Sequence, residues 1–81
     1  MLSDLKSSPV YVGIKQSVRA LEHDRVSKAF IASDADEKLT QPVKNLCDER
    51  GVTVEYIGSM HELGKACGID IGAAVAVVLK G

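Results

Sequence analysis

The sequence predicts an α/β domain, a three-layer α/β/α sandwich built on a four-stranded mixed sheet. Three observations lead there. Segments with the apolar spacing of a strand alternate with segments spaced like a helix, in the order β-α-β-α-β-α-β. The last segment, Ala73 to Leu79, is apolar without alternation, as expected of a strand covered on both faces. The chain has 81 residues, and a chain of that size buries roughly 60 to 65 % of its unfolded surface. That suffices for one core, so residues 1–81 are read as a single domain.

The elements follow in order. Pro9 precedes Val10-Tyr11-Val12, a β-branched and aromatic run closed by Gly13, which reads as a first strand. From Ile14 the period changes: Ile14, Val18 and Leu21 recur at i, i+4 and i+7, while Lys15, Gln16 and Arg19 fall elsewhere. This is an amphipathic helix ending near Glu22. His23-Asp24-Arg25 makes a turn, and Ala29 to Ala32 forms a second strand. Ser33-Asp34-Ala35-Asp36 is loop chemistry, with either Asp36 or Thr40 placed to cap the next helix. Its expected stripe is Leu39, Val43, Leu46 and Cys47, with a break or kink at Pro42 and regular helix from about Gln41 to Arg50, ended by Gly51. Val52, Val54 and Tyr56 alternate as a third strand. Ser59-Met60-His61-Glu62 has the form of a capping box that opens a helix running to about Cys67 and stopping at Gly68.

Composition narrows the function. Hydrophobic residues make up 46 % and charged residues 26 %, which excludes disorder and a disulfide-dense scaffold. The formal net charge of -1 provides no overall field for nucleic acid or anionic membrane. Its distribution is uneven, +2 over residues 1–30 and -2 over residues 31–50, so an anionic partner should meet the first third of the chain. Met1 to Lys6 lacks the pattern of a secretory leader, and no apolar run approaches the ~20 residues needed to span a bilayer. Cys47 and Cys67 are solitary and read as reduced thiols, small buried hydrophobes of a cytoplasmic protein.

Catalytic machinery is thin. His23 and His61 stand beside no nucleophile in a recognisable turn, and no metal set is apparent. Asp34 and Asp36 are of the residue type to pair as acid and base or to hold a metal, but two Asp in a short loop before a helix usually make Asx turns and caps. Gly64, Gly68 and Gly72 match neither phosphate-loop pattern. An enzyme is therefore not expected.

The start of the first helix says more. At about 100° per residue, Arg19 lies about 40° and Gln16 about 100° from Lys15, so three long donors share one face of the first turns. Those turns also present unpaired backbone amides and the positive end of the helix dipole, which together grip phosphate. A lysine there opposes that dipole, so its presence is not explained by helix stability. The residues alone leave a solvated face and an anion-binding face equally open. Ile69 and Ile71 flank Asp70 where a loop should be polar. They read either as core at a strand entrance or as an apolar surface for a flat partner such as an unstacked base.

Taken together, Gly13 with Lys15-Gln16 and Arg19, the acidic loop from Ala32 to Asp36, and the run from Leu63-Gly64 through Gly68-Ile69 to Ala74 resemble the ribosomal L7Ae/L30e superfamily. The similarity spans Val10 to Leu79 and is greatest to the short bacterial ribosomal-protein homologues that bind kink-turns, RNA bends built on tandem sheared G·A pairs beside a bulge. The resemblance implies the same sandwich, no catalysis and no cofactor. It implies that Gly13 and Ile14 open the recognition helix, and that Lys15 and Gln16, standing where archaeal members carry Asn and Glu, read the sheared guanines. By the same resemblance Arg19 meets phosphate, and Ile69, Asp70 and Ile71 pack on bulged nucleotides. Pro42 lies later than the Asp-Pro pattern of many relatives. The expectation is a monomeric, cytoplasmic RNA-binding domain with kink-turn RNA as partner and no role for DNA, membrane or metal. Its alternative is a structural or protein-interaction module of a ribonucleoprotein.

Overall fold

The computed structural model describes residues 9–80; the expectation about Met1 to Lys6 lies outside the described residues. Strand β1 (Val10–Val12) passes through Gly13 into helix α1 (Ile14–Glu22). Then come β2 (Val26–Ala32), α2 (Glu37–Arg50), β3 (Thr53–Ile57), α3 (Met60–Ala66) and β4 (Val75–Leu79), the order that the hydrophobic periods predict. The sheet order is β1-β4-β2-β3, with β4 antiparallel to both neighbours and β2 parallel to β3. The sheet is therefore mixed, as expected.

Two cores define the layers. One face of the sheet, through Ala29, Ile31, Val75 and Val77, packs on Ala20 and Leu21 of α1 and on Val43 and Cys47 of α2. The opposite face, through Phe30, Ala32, Ala76 and Val78, packs on Leu63 of α3. Because consecutive residues of β4 serve different faces, both faces demand apolar side chains there. Burying a Phe30 or Leu21 side chain is worth roughly 1.5 to 3 kcal/mol each.

The second strand begins at Val26, three residues before its expected start. The reason is a bulge. Val26 opposes Leu79 and Lys28 opposes Val78, so β2 spends one extra residue, Ser27, against β4. That extra residue reverses the facing of the strand, and Val26 joins Ala29 and Ile31 in the same core despite its parity. A strict two-residue alternation cannot be read through such a step.

Helix α2 overturns two expectations. It starts at Glu37, not about Gln41, and Pro42 lies inside it. The capping group is Asp36, whose Oδ1 accepts from Lys38 N at 3.0 Å, while Thr40 N donates to the Asp36 carbonyl at 3.2 Å. Proline at position 42 removes the amide that would reach the carbonyl of Lys38. Lys38 is exposed, where water can serve that carbonyl, and burial of Thr40, Val43 and Cys47 holds the turn in place. The buried stripe is consequently phased on Thr40 and not on Leu39, which is 55 % exposed. The helix ends as expected at Gly51, in the left-handed region with φ 67°.

Cys47 is fully buried in this core, and burial pushes its thiol up to about 11 from 9.0. The folded state thus disfavours the thiolate. Stability from this group is intact below the unfolded value and falls as pH climbs from 9 toward 11. At about 1.4 kcal/mol per pKa unit, the loss amounts to about 2 to 3 kcal/mol by the top of that window. Thermal melts of the parent should therefore fall more steeply above pH 9 than those of Cys47→Ala, and parallel slopes would rule the linkage out.

Candidate nucleic-acid interface

Strand direction gathers the helix starts at one end of the sheet. The C-terminal ends of β1, β2 and β3 lie beside the start of β4, since Val12 opposes Ala76, Ile31 opposes Val75, and Ala32 opposes Ile57. Each of those three strands leads into a helix, so α1, α2 and α3 all begin there. The segment from Gly68 to Ala74 that leads into β4 closes the same end.

The three helix starts are finished differently. At α2, Asp36 supplies its carboxylate. At α3, Ser59 Oγ accepts from Glu62 N at 3.1 Å and Asp34 Oδ1 accepts from Met60 N at 2.8 Å. Asp34 and Asp36 are therefore capping residues, in keeping with their loop chemistry. At α1 the cap is Gly13, with φ 104° and ψ 159°, which has no side chain to give, and the first turn carries no acidic residue. Gly13 N donates to the Val75 carbonyl at 2.9 Å, fixing this start to β4, and the first helical bond is Ser17 N to the Gly13 carbonyl at 3.1 Å. The amides of Ile14, Lys15 and Gln16 precede that bond and have no helical acceptor.

Lys15, Gln16 and Arg19 are exposed around this open end, whereas Ile14 is half-buried against the core that α1 shares with the sheet. Among the described residues, Lys15 and Arg19 have no ion-pair partner, unlike Arg50, held by Asp24 at 3.0 Å, and Lys28, held by Glu55 at 3.0 Å. Two cations beside unpaired amides and a helix dipole make a site with net affinity for anions.

The Gly68–Ala74 segment is clamped to α3. Ile69 N donates to Gly64 O at 3.1 Å and Ala73 N to Met60 O at 3.0 Å. Gly64 permits this approach: a Cβ there would collide with the carbonyl oxygen of Ile71. The segment splits its two isoleucines. Ile69 is half-buried and packs on the Phe30–Leu63 core, while Ile71 is 74 % exposed and Asp70 is exposed beside it. The core reading thus holds for Ile69 and fails for Ile71, because the clamp draws in the first residue after Gly68 and lifts the third. Met60, the first residue of α3, is also exposed and packs close to Gly72. Sequence reading missed Met60 as a surface residue; its place just after the capping Ser59 was the available signal.

Burial raises the pKa of both cysteine thiols, so neither is an activated nucleophile at neutral pH. Among the described residues no group of three His, Cys, Asp or Glu side chains is placed to hold a metal, and no helix is long and apolar enough to cross a membrane.

The sequence pattern of the ribosomal protein L7Ae/L30e/S12e/Gadd45 family matches residues 2–81. The chain is similar to an RNA-binding protein of Caldanaerobacter subterraneus subsp. tengcongensis, 43 % identical over 70 residues that cover 86 % of this chain and 85 % of that one. It is also 42 % identical to an RNA-binding protein of Bacillus pumilus over 74 residues, 91 % of this chain and 90 % of that one. The fold is shared with the solved Giardia lamblia 15.5kD RNA binding protein, with a TM-score of 0.88 at 23 % identity, over 99 % of this chain and 68 % of that one.

Proposed function

The chain belongs to the ribosomal protein L7Ae/L30e/S12e/Gadd45 family, and from that premise we propose that it is an RNA-binding protein that recognises kink-turns and works without catalysis. The observation that carries this reading is the uncapped start of α1, with Lys15, Gln16 and Arg19 around it and exposed Ile71 on the same end of the sheet. Relatives identical to this chain at over two fifths of the aligned positions are RNA-binding proteins by name.

The chemistry is complementary. A sheared G·A pair turns the O6 and N7 acceptors of guanine outward; Lys15 donates to them, and Gln16 both donates and accepts. Arg19 and the amides of the first turn neutralise the phosphates that a sharp bend crowds together. Ile71 and Met60 offer flat apolar surface to a nucleotide turned out of the stack, with Ile69 anchoring the segment from beneath. A protein with net charge -1 can bind RNA this way because the cations are concentrated at one patch. The proposed setting is a ribonucleoprotein in the cytoplasm, the protein binding as a monomer.

Substitutions separate the roles. Gln16→Ala should reduce preference for sheared pairs by roughly 1 to 3 kcal/mol while leaving the salt dependence unchanged. Arg19→Ala should weaken all RNAs alike and lower the salt slope by about one unit. Ile71→Ala should lower affinity yet melt within about 0.5 kcal/mol of the parent, since its side chain leaves no cavity. Binding titrations at several salt concentrations, run beside thermal melts, check all three. If Gln16→Ala and Arg19→Ala both bind like the parent, the start of α1 is not the RNA site and the interaction-module alternative takes its place.

A further inference from the structure

A second feature begins where the α1 site ends. Two adjoining hollows run down the outer side of α1 beside the edge strand β1 and share Tyr11 and Arg19. The first reaches up to Lys15 and Gln16, and the second reaches down to His23 and Arg25. Lys15, Arg19 and Arg25 are exposed, and among the described residues none of the three is held in an ion pair. Glu22 is the one acid that lines the hollows. Four helical residues advance about 6 Å along the axis, so Lys15, Arg19 and the turn at His23 follow one another at a spacing comparable with successive phosphates of a nucleic-acid strand.

We propose that this groove is a track for the phosphate backbone of the stem flanking the kink, with Arg25 and Tyr11 as RNA-contacting residues beyond the site at Gly13. The proposal rests on the reading of the α1 start as the RNA site. Continuity decides the occupant: a strand leaving Lys15 and Gln16 along α1 meets Arg19 next, and Arg25 after it. Arg25 supplies charge, and the Tyr11 hydroxyl, from a half-buried ring, supplies a neutral donor to a phosphate or ribose oxygen. An acidic peptide would find the same cations, but nothing places its chain in register with the helix start.

The test compares one kink-turn RNA carrying a long flanking stem with the same RNA cut back close to its sheared pairs. Full-length parent, Arg25→Gln, Arg25→Lys and Gln16→Ala are titrated on both at several salt concentrations. The parent should prefer the long stem. Arg25→Gln should lower affinity for it about threefold to tenfold and flatten its salt slope by about 0.7 to 0.9, with the short RNA unaffected and Arg25→Lys close to the parent. Since the Arg25 side chain is exposed, the variants should melt like the parent. The track is overturned if Arg25→Gln is silent on the long stem, or if it weakens both RNAs equally, which is a long-range field and not a contact. It is also overturned if the groove variants alter capture of an acidic peptide and not of RNA. If Gln16→Ala still loses its preference for sheared pairs in those cases, only the track has failed. If the parent binds neither RNA better than a plain duplex, the kink-turn reading has failed with it.

Discussion

Replacing the tandem sheared G·A pairs of a kink-turn with Watson–Crick pairs should cost this protein roughly 30-fold to 20,000-fold in affinity, at ~1 to 3 kcal/mol for each of the two altered pairs. The reason lies in what the α1 start can and cannot recognise. On the proposed reading, its amides and Arg19 bind phosphate on any RNA, whereas Lys15 and Gln16 reach only acceptors that a sheared pair turns outward. In a paired copy O6 accepts from the partner base and both acceptors sit in the deep, narrow major groove of an A-form helix, the helix stays straight, and the phosphates no longer crowd toward the helix start. The electrostatic part of binding survives and the reading part does not. A gel shift or calorimetric titration with the two RNAs at one salt concentration measures the difference. Equal binding would leave only generic electrostatics and would sink shape-specific recognition.

Gly64→Ala should be the most damaging single-atom change at this end of the molecule. Gly64 is buried in α3, and the added methyl would meet the Ile71 carbonyl oxygen, with the Ile71 carbonyl carbon at 3.1 Å and the Gly72 Cα at 3.2 Å. All three are backbone atoms, so no side-chain rotation relieves the collision. Either α3 or the Gly68–Ala74 segment must move. Overpacking of this kind costs about 1 to 3 kcal/mol, and at ~4 to 8 °C per kcal/mol for a domain of this size the melting temperature should fall by roughly 5 to 20 °C. RNA affinity should fall too, because Ile71 is carried by the displaced segment. Gly68→Ala is the internal control. Gly68 has φ 78° but open space around its missing Cβ, so only the left-handed backbone is penalised, by about 1 kcal/mol. If Gly64→Ala melts like the parent, the segment is not clamped to α3 as the hydrogen bonds from Ile69 and Ala73 indicate.

Much of this molecule can be read from its residues because the relevant physics is local. Val10-Tyr11-Val12 is stiff and apolar and stops at Gly13; the strand there needs no partner to be recognised. Ser59 and Glu62 announce the start of α3, and Gly51 the end of α2, because a cap is a bond between near neighbours. Gly13, Lys15, Gln16 and Arg19 could be grouped for the same reason, since helical geometry places them on one turn before anything else is known.

Local rules fail where a distant contact decides. Pro42 should interrupt a helix, yet α2 continues through it, held by the burial of Val43 and Cys47 against the sheet and α1. Ser27 bulges, and the bulge exists only because β4 lies opposite. Ile69 and Ile71 sit two residues apart in a segment with no helical or strand period, so no pattern can say which is core. Packing against α3 buries the first and exposes the second. Strand order carries the largest consequence. The last strand lies between the first two, a non-local pairing that no spacing reveals, and it brings the segment before Val75 next to the start of α1. The residues alone place the order of the elements, the caps at Ser59 and Gly51 and the donors of α1, because those depend on neighbours along the chain. That an uncapped helix start and the segment carrying an exposed isoleucine lie at one end of the sheet follows instead from which strands pair, a contact between residues far apart in the chain.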